Sequence, residues 1–147
     1  MTLATEIDFS RAKADLSQVM DDVVIRQRPK VIDRHRGRDR ALLIGGETIE
    51  AALAGKRFDP QVIVEEGGVT IRLAQFGLLG FGETLDDALA DLVRELDDYT
   101  DRFLADFGFY SQTKRADHLL HLLRFKMTPP GRRATLLLKD SQQNTAG

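Results

Sequence analysis

The strongest constraint on the fold lies in residues 61–76, QVIVEEGGVTIRLAQF. Apolar residues stand at every second position on each side of the Gly67-Gly68 pair: Val62 and Val64 before it, and Val69, Ile71 and Leu73 after it. A period of two is typical of a strand with one buried face, and a glycine pair between two such runs is typical of a hairpin turn. We therefore predict an antiparallel β-hairpin that needs a covering element.

A long amphipathic helix is predicted after the hairpin. Thr84 is a good N-cap, and Asp87 three residues later gives a variant of the capping box. Apolar residues then recur at helical spacing: Leu85, Ala88, Leu89, Leu92, Leu96, Tyr99, Phe103 and Phe107. This pattern predicts one buried stripe, with acidic side chains on the other faces.

The first 57 residues predict a smaller unit with the order β-α-β-β-α. Thr5–Asp8 alternates as a short strand does, and Ser10 is the expected N-cap of a helix of about thirteen residues. Its apolar stripe comprises Ala12, Leu16, Val19, Met20 and Val23. KVIDR and RALLI follow as two strands around Gly37, and residues 48–53 as a short helix. Fewer than 60 residues give a thin core, so this unit is expected to need a second copy for stability.

The end of the chain predicts a helical extension. Residues 116–125 are amphipathic, and TPPGRR after them interrupts a helix. We expect residues 134–139, ATLLLK, to form a last strand and residues 140–147 to form a frayed tail. The glycine-rich stretch GLLGFGE before the long helix is expected to be a connection. The chain thus divides into residues 1–57, 58–112 and 113–147, all within an α+β fold class.

Composition bounds the class of protein. The 147 residues are 42% hydrophobic and 30% charged, as in a soluble globular protein. No apolar run approaches the ~18 residues of a membrane span, and the start lacks a basic region followed by an apolar stretch, as a secretory signal has. The absence of cysteine excludes disulfides and thiolate metal sites. These features suit a cytoplasmic protein without a membrane partner.

Charge is unevenly distributed. The net charge of −2 conceals +2 in residues 1–57, −9 in residues 58–112 and +5 in residues 113–147. Seven basic and two acidic side chains fall within residues 26–40. Segments of opposite charge suggest different partners, although for any single charge a solvated surface is the better interpretation.

The sequence offers no arrangement for catalysis. It has no cysteine nucleophile, no G-x-S-x-G and no phosphate-binding G-x-x-x-x-G-K-[ST]. His118 and His121 lie three residues apart, but Asp117 is the only nearby carboxylate, so helix histidines are a better interpretation than a metal pair. We expect no enzyme activity, no metal, no cofactor and no small-molecule substrate.

The first helix carries an unusual charge pattern. Arg11 and Lys13 follow Ser10, whereas a helix is normally stabilised by acidic residues in its first turn. Basic side chains beside unpaired backbone N–H groups are typical of a phosphate-binding site. The alternative is that both side chains simply point into water.

These residues carry a first resemblance, to the prevent-host-death/YefM family of type II antitoxins. It covers about residues 5–54, through Ile7-Asp8-Phe9-Ser10, Pro29, Val31-Ile32-Asp33-Arg34, Gly37 and Ala41-Leu42-Leu43-Ile44. Asp33 stands where the family usually has Thr, and Gly45 where it has Ser. The resemblance implies a homodimer, joined through its sheets, that binds palindromic operator DNA of its own operon. Family DNA contacts correspond to Lys13 and Arg34, and we add their neighbours Ser10, Arg11 and Arg36 on physical grounds, because Arg binds both phosphate and guanine.

The second segment is similar to HicB-like antitoxins. Residues 82–89, GETLDDAL, match their helix-opening motif, whereas the usual P-D-(L)-P-G is replaced by QFGLLGF. Their fold is a reduced RNase H sheet, but the VTIRLAQF strand offers only Arg72 and Gln75 where a two-metal nuclease needs carboxylates.

Together the resemblances imply an antitoxin and autorepressor that binds a cognate toxin protein. The acidic middle segment would suit a basic toxin, or be an ordinary helix face. The candidate toxin contacts, which equally suit internal packing, are Phe103, Phe107, Phe109, Tyr110, Leu119, Leu120 and Leu123. A stand-alone DNA-binding regulator without a toxin is the alternative.

Overall fold

The computed structural model describes residues 5–145, and it has a mixed α+β fold. The chain divides into two compact units, Met1–Ala52 (the N-terminal unit) and Leu53–Gly147 (the C-terminal unit). Each unit contains one three-stranded sheet, and seven α-helices are distributed between them in the part of the chain that is described.

The N-terminal unit has the expected β-α-β-β-α order, with one helix in two pieces. Its elements are β1 (Glu6–Asp8), α1 (Phe9–Ala14), α2 (Leu16–Val24), β2 (Lys30–Arg34), β3 (Asp39–Leu43) and α3 (Gly46–Ala52). Strand β2 lies in the middle of the sheet, parallel to β1 and antiparallel to β3. Asp15 separates α1 from α2 with a non-helical backbone.

The expected N-cap of the first helix was wrong by two residues. Asp8, in an extended conformation, caps α1, and its carboxylate accepts a hydrogen bond from the Ser10 backbone N–H at 3.1 Å. Aspartate is as good an N-cap as serine, and strand β1 ends at Asp8, so the helix begins at Phe9. Within the predicted stripe, Ala12, Val19 and Val23 are buried, while Leu16 and Met20 remain exposed.

The predicted hairpin forms the first two strands of the C-terminal sheet. Strand β4 (Gln61–Glu65) pairs antiparallel with β5 (Gly68–Leu73), which pairs antiparallel with β6 (Leu78–Gly82). Helix α4 (Leu85–Ala105) follows, and the Thr84 hydroxyl accepts from the Asp87 backbone N–H at 3.1 Å. The hairpin and this cap are confirmed.

Strand β6 was expected to be a glycine-rich connection. A Cβ at Gly80 would overlap the carbonyl oxygen of Ala88, and one at Gly82 would overlap the Ala88 backbone N–H. The glycines therefore mark where helix α4 packs directly on a strand, an approach that side chains would prevent.

The C-terminal residues form helices where a strand and a frayed tail were expected. Helices α5 (Phe107–Tyr110), α6 (Leu119–Met127) and α7 (Arg133–Thr145) follow α4. Arg133, Leu137 and Asp140 are buried at helical spacing on α7, and the two polar members of this stripe hid the periodicity from an apolar pattern. Residues 146 and 147 of the expected tail lie outside the described residues.

The core of the C-terminal unit joins the hairpin, α4 and the last two helices. It contains Phe58, Ile71, Leu73, Phe76, Ala88, Leu89, Leu92, Leu96, Tyr99, Phe103, Leu122, Phe125 and Leu137. Residues from both sides of position 113 thus share one core, so residues 113–147 are packed into this unit rather than appended to it.

Candidate functional site

Two basic segments of the N-terminal unit meet at one end of its sheet. The parallel pairing of β1 with β2 places Asp8 opposite Asp33, so the start of α1 lies beside the end of β2. The Arg34 guanidinium carbon lies 5.6 Å from the centroid of the Phe9 ring, within the range of a cation–π contact. Phe9 is a neighbour that the charge pattern alone did not reveal.

Arg34 is held by an acidic partner across the hairpin. Its Nη2 and Nε donate to the Asp39 carboxylate at 2.9 and 3.1 Å, and His35 Nδ1 lies 3.1 Å from the same oxygen. Arg40 is likewise paired with Glu6 on β1. Arg34 remains about half exposed, so it is oriented and still accessible.

The hairpin tip presents arginines without such partners. His35, Arg36 and Gly37 have φ values of 56°, 57° and 81°, in the left-handed region that side chains other than glycine rarely adopt. Arg36 and Arg38 are exposed at this tip, and neither has an ion pair among the described residues. Backbone strain of this kind is concentrated at functional sites, so the tip is a candidate binding segment.

The start of α1 combines basic and acidic groups. Arg11 and Lys13 are exposed, as is Ser10, but the Asp8 carboxylate already accepts from the Ser10 backbone N–H in the first turn of the helix. Arg11 also borders a cavity of about 400 Å³ whose wall includes four carboxylates, those of Glu6, Asp8, Asp15 and Asp22. Any anion contact here depends on the side chains of Arg11 and Lys13 more than on the helix terminus.

The N-terminal unit also has an exposed apolar surface, formed mainly by one side of α2. Leu16, Met20 and Val24 follow one another at intervals of four residues on α2, and each is exposed. Ile25 at the end of that helix and Leu42 on β3 are more exposed still. Together with the buried Val19 and Val23, the exposed residues of α2 form one wide apolar face, of which only part is covered within the unit.

The candidate toxin contacts divide into buried and exposed members. Phe103 is fully buried and stacks on Tyr110 with ring centroids 4.9 Å apart, so in this fold it packs internally, as the alternative interpretation expects. Four more are half-buried: Phe107, Tyr110, Leu119 and Leu123. Phe109 and Leu120 are the exposed members, and only they offer substantial surface to a partner.

Part of the charge asymmetry is neutralised inside the C-terminal unit. Three acidic residues of α4 form ion pairs: Asp91 with Arg94, Asp97 with Arg133 and Asp101 with Lys126. The basic last segment therefore neutralises part of the acidic middle one. Asp86, Glu95 and Asp98 are exposed and available to a partner.

The two helix histidines lie at the edge of the core. The Tyr99 hydroxyl is 2.7 Å from His118 Nδ1, and the His118 and Phe76 rings are 4.6 Å apart. Burial lowers the pKa of His118 and of His121, and raises the pKa of Tyr99. Within residues 5–145, no three metal-ligating side chains converge, and no helix combines the length and apolarity needed to cross a bilayer.

Comparison with known proteins adds a family and a fold. A family model described as PHD-like, antitoxin of toxin–antitoxin, RelE/RelB, TA system, matches residues 1–129. A crystal structure from Syntrophomonas wolfei subsp. wolfei, described as the antitoxin part of a proposed toxin/antitoxin system, superposes with a TM-score of 0.72. It is 20% identical, and the alignment covers 89% of this chain and 94% of that one, so it supports the fold. The curated proteins contain no match.

Proposed function

This chain belongs to the PHD-like family of toxin–antitoxin antitoxins, and from that membership we propose that it binds a cognate toxin directly and represses its own operon as a dimer. The two activities are assigned to different units. The N-terminal unit, with its prevent-host-death/YefM-like order, binds operator DNA, and the C-terminal unit, with its HicB-like hairpin and helix, binds the toxin.

DNA binding is supported mainly by the position of α1 beside the β2–β3 hairpin, at one end of the N-terminal sheet. The parallel β1–β2 pairing brings the Ser10–Lys13 segment to the same end as Arg34 and the arginine tip. Arginine side chains contact phosphates and read guanine in the major groove. Asp39 holds Arg34 in one orientation, which reduces the entropy lost on binding.

The exposed apolar face of α2 supports dimerisation. Leu16, Met20 and Val24 would be buried by a second copy, and a unit with so few buried residues gains most of its missing stability this way. Two copies also match the two-fold symmetry of a palindromic operator.

Toxin binding is supported by the exposed part of the C-terminal unit. Phe109 and Leu120 supply apolar surface, and Asp86, Glu95 and Asp98 supply unpaired negative charge. Aromatic anchors with a complementary charged rim are typical of protein interfaces, and the charge would steer a basic toxin.

Separable variants of the full chain test both assignments. Co-expressed with the product of an adjacent toxic open reading frame, the full chain should restore growth. The double variant Phe109→Asp, Leu120→Asp should lose rescue but retain operator binding, because both residues are exposed. Rescue by residues 1–57 alone would contradict the toxin assignment, and a non-toxic neighbour would favour the stand-alone regulator.

Operator binding should depend on single basic residues. Lys13→Ala and Arg34→Ala are each expected to weaken binding about tenfold, with a salt slope smaller by about one where a phosphate contact is lost. Arg94→Ala, which removes an exposed arginine from α4, is the matched control and should bind normally. Titrations at several salt concentrations measure these effects, and unchanged binding in both first variants would refute the assigned surface.

A further inference from the structure

The two edge strands of the C-terminal sheet differ in how far they are covered. At the β6 edge, the Phe81 backbone N–H donates to the Asp91 carboxylate of α4 at 2.9 Å. At the β4 edge, all five residues are exposed, including Val62, Ile63 and Val64, and Val64 is 74% exposed. Natural sheets usually protect an apolar edge of this kind, because its free backbone groups pair readily with another strand.

The register of the hairpin shows which backbone groups are free. Glu65 and Gly68 pair across a two-residue turn, so they form a hydrogen-bonded pair. Such pairs recur at every second residue, so Ile63 and Thr70 form the next one. Val62 and Val64 alternate with these residues and therefore direct their N–H and C=O groups to the open edge. Pro60, which precedes the strand, has no N–H and ends the usable edge there.

We propose that β4 pairs antiparallel with β4 of a second copy, in a register centred on Ile63, to form a six-stranded sheet. In this register Val62 lies opposite Val64 of the second copy, and the reverse pair follows by symmetry. These are the residues with free backbone groups, so the pairing forms four hydrogen bonds. Ile63 lies opposite itself as a non-hydrogen-bonded pair.

Side-chain complementarity favours a second copy as the occupant. The same register places Gln61 opposite Glu65 of the second copy, and Gln61 already accepts a hydrogen bond from Arg72 at 2.6 Å. The Gln61 amide can then donate to Glu65, with the Arg72 guanidinium on the next strand of the same face. Two-fold symmetry repeats this Gln61–Glu65 contact at the other end of the two strands, so both ends are hydrogen-bonded.

Other pairings of two β4 strands lack this complementarity. A parallel in-register pair would place the two Glu65 carboxylates side by side, which is destabilising. An antiparallel pair centred on Val64 would place Glu65 against Ile63. This interface lies in the C-terminal unit, so it is separate from the α2 face and does not depend on the proposed DNA or toxin contacts.

A single introduced thiol tests the register. The chain contains no cysteine, so Ile63→Cys would provide its only thiol. Opposed residues of a non-hydrogen-bonded pair have Cα atoms about 4.5 Å apart, within the range that a disulfide bridges. Leu79→Cys on the β6 edge is the matched control, because Leu79 and Ile63 are exposed to 42% and 40%.

Under mild oxidation of the full chain, Ile63→Cys should form a covalent dimer about tenfold faster than Leu79→Cys or more, because pairing raises the local thiol concentration. Equal rates would overturn the proposal. So would an Ile63→Cys protein that stays monomeric and fully reactive, as expected if this edge serves another partner.

A charge exchange in the Ile63→Cys background tests the side-chain pairing. Glu65→Lys or Arg72→Glu alone should slow cross-linking about fivefold, because each places like charges on the two sides of Gln61, on the same face of the sheet. The double exchange should restore the rate to within about twofold. Circular dichroism checks that each variant is folded, and a double variant as slow as either single one would overturn the register.

Discussion

The two units reach stability by different means. The C-terminal unit buries thirteen apolar residues in one cluster rich in aromatic side chains, whereas the N-terminal unit buries only Ala12, Val19 and Val23 along its first two helices. The core of the C-terminal unit is therefore large enough to stabilise that unit without a second copy. The N-terminal unit leaves the apolar face of α2 open, as expected of a unit completed by a second copy.

Their charged residues differ in the same way. In the C-terminal unit, Arg124 and Asp140 form a nearly buried ion pair at 2.8 Å, and Arg133 is held by Asp97 and backbone carbonyls. In the N-terminal unit, Arg34 and Arg40 have exposed partners, and pairs of this kind contribute little to stability. Arginine thus serves structure in one unit and is available for binding in the other.

The largest expected effect is a loss of stability that distinguishes the buried from the exposed candidate toxin contacts. Phe103→Ala should lower the free energy of unfolding of the C-terminal unit by about 3–5 kcal/mol, because it leaves a cavity at a fully buried site. Phe109→Ala, at a site 59% exposed, should cost less than about 1 kcal/mol. Tyrosine fluorescence in denaturant measures both, because the chain has no tryptophan and its two tyrosines lie in this unit. Equal costs would place Phe109 in the core as well.

The next effect concerns the buried ion pair. Asp140→Asn should cost about 3 kcal/mol, because the Arg124 charge would remain buried without its counter-charge, and the Phe58 backbone N–H would keep only a neutral acceptor. Asp101→Asn, which breaks the exposed pair with Lys126, is the control and should cost about 1 kcal/mol or less. Equal losses of stability in the two variants would show that the buried ion pair contributes no more than the exposed one.

The smallest effect is a pH dependence of the stability of the C-terminal unit. Burial lowers the pKa of His118 and His121 in the folded chain, whereas the unfolded histidines keep a pKa near 6.5. Protons therefore bind the unfolded state more readily, so the stability from these groups is complete above pH 6.5 and declines as the pH falls below it. Denaturation monitored by tyrosine fluorescence between pH 7.5 and 5.5 should show this decline. The double variant His118→Gln, His121→Gln should flatten it, and an unchanged slope would exclude these two residues as its source.

Sequence patterns predicted the elements that depend on local chemistry. The β4–β5 hairpin follows from alternation around a glycine pair, and the start of α4 follows from Thr84 and Asp87. The N-terminal β-α-β-β-α order follows from Pro29, Gly37 and short apolar runs. Each of these signals acts within a few residues, so a single sequence contains it.

The elements that were missed depend on partners distant in sequence. Gly80 and Gly82 look like a flexible connection until α4 is seen against them, and α7 looks like a strand until Asp140 is seen to bond Arg124 and Phe58. In the candidate site, the basic residues were identifiable by charge. The contacts of Arg34 with Asp39 and Phe9 were not, because they require the β2–β3 register and the β1–β2 pairing.

We propose that the N-terminal unit depends on a second copy for its stability, whereas the helical core of the C-terminal unit does not. Hydrogen exchange of the full-length Glu65→Lys variant, in which β4 pairing is weakened, at two protein concentrations a hundredfold apart tests this difference. Mass action predicts that backbone protection in residues 5–52 rises about tenfold at the higher concentration, or by about 1.4 kcal/mol per chain, while protection in residues 85–140 stays constant. Protection of residues 5–52 that does not change with concentration would show that this unit is stable without a second copy.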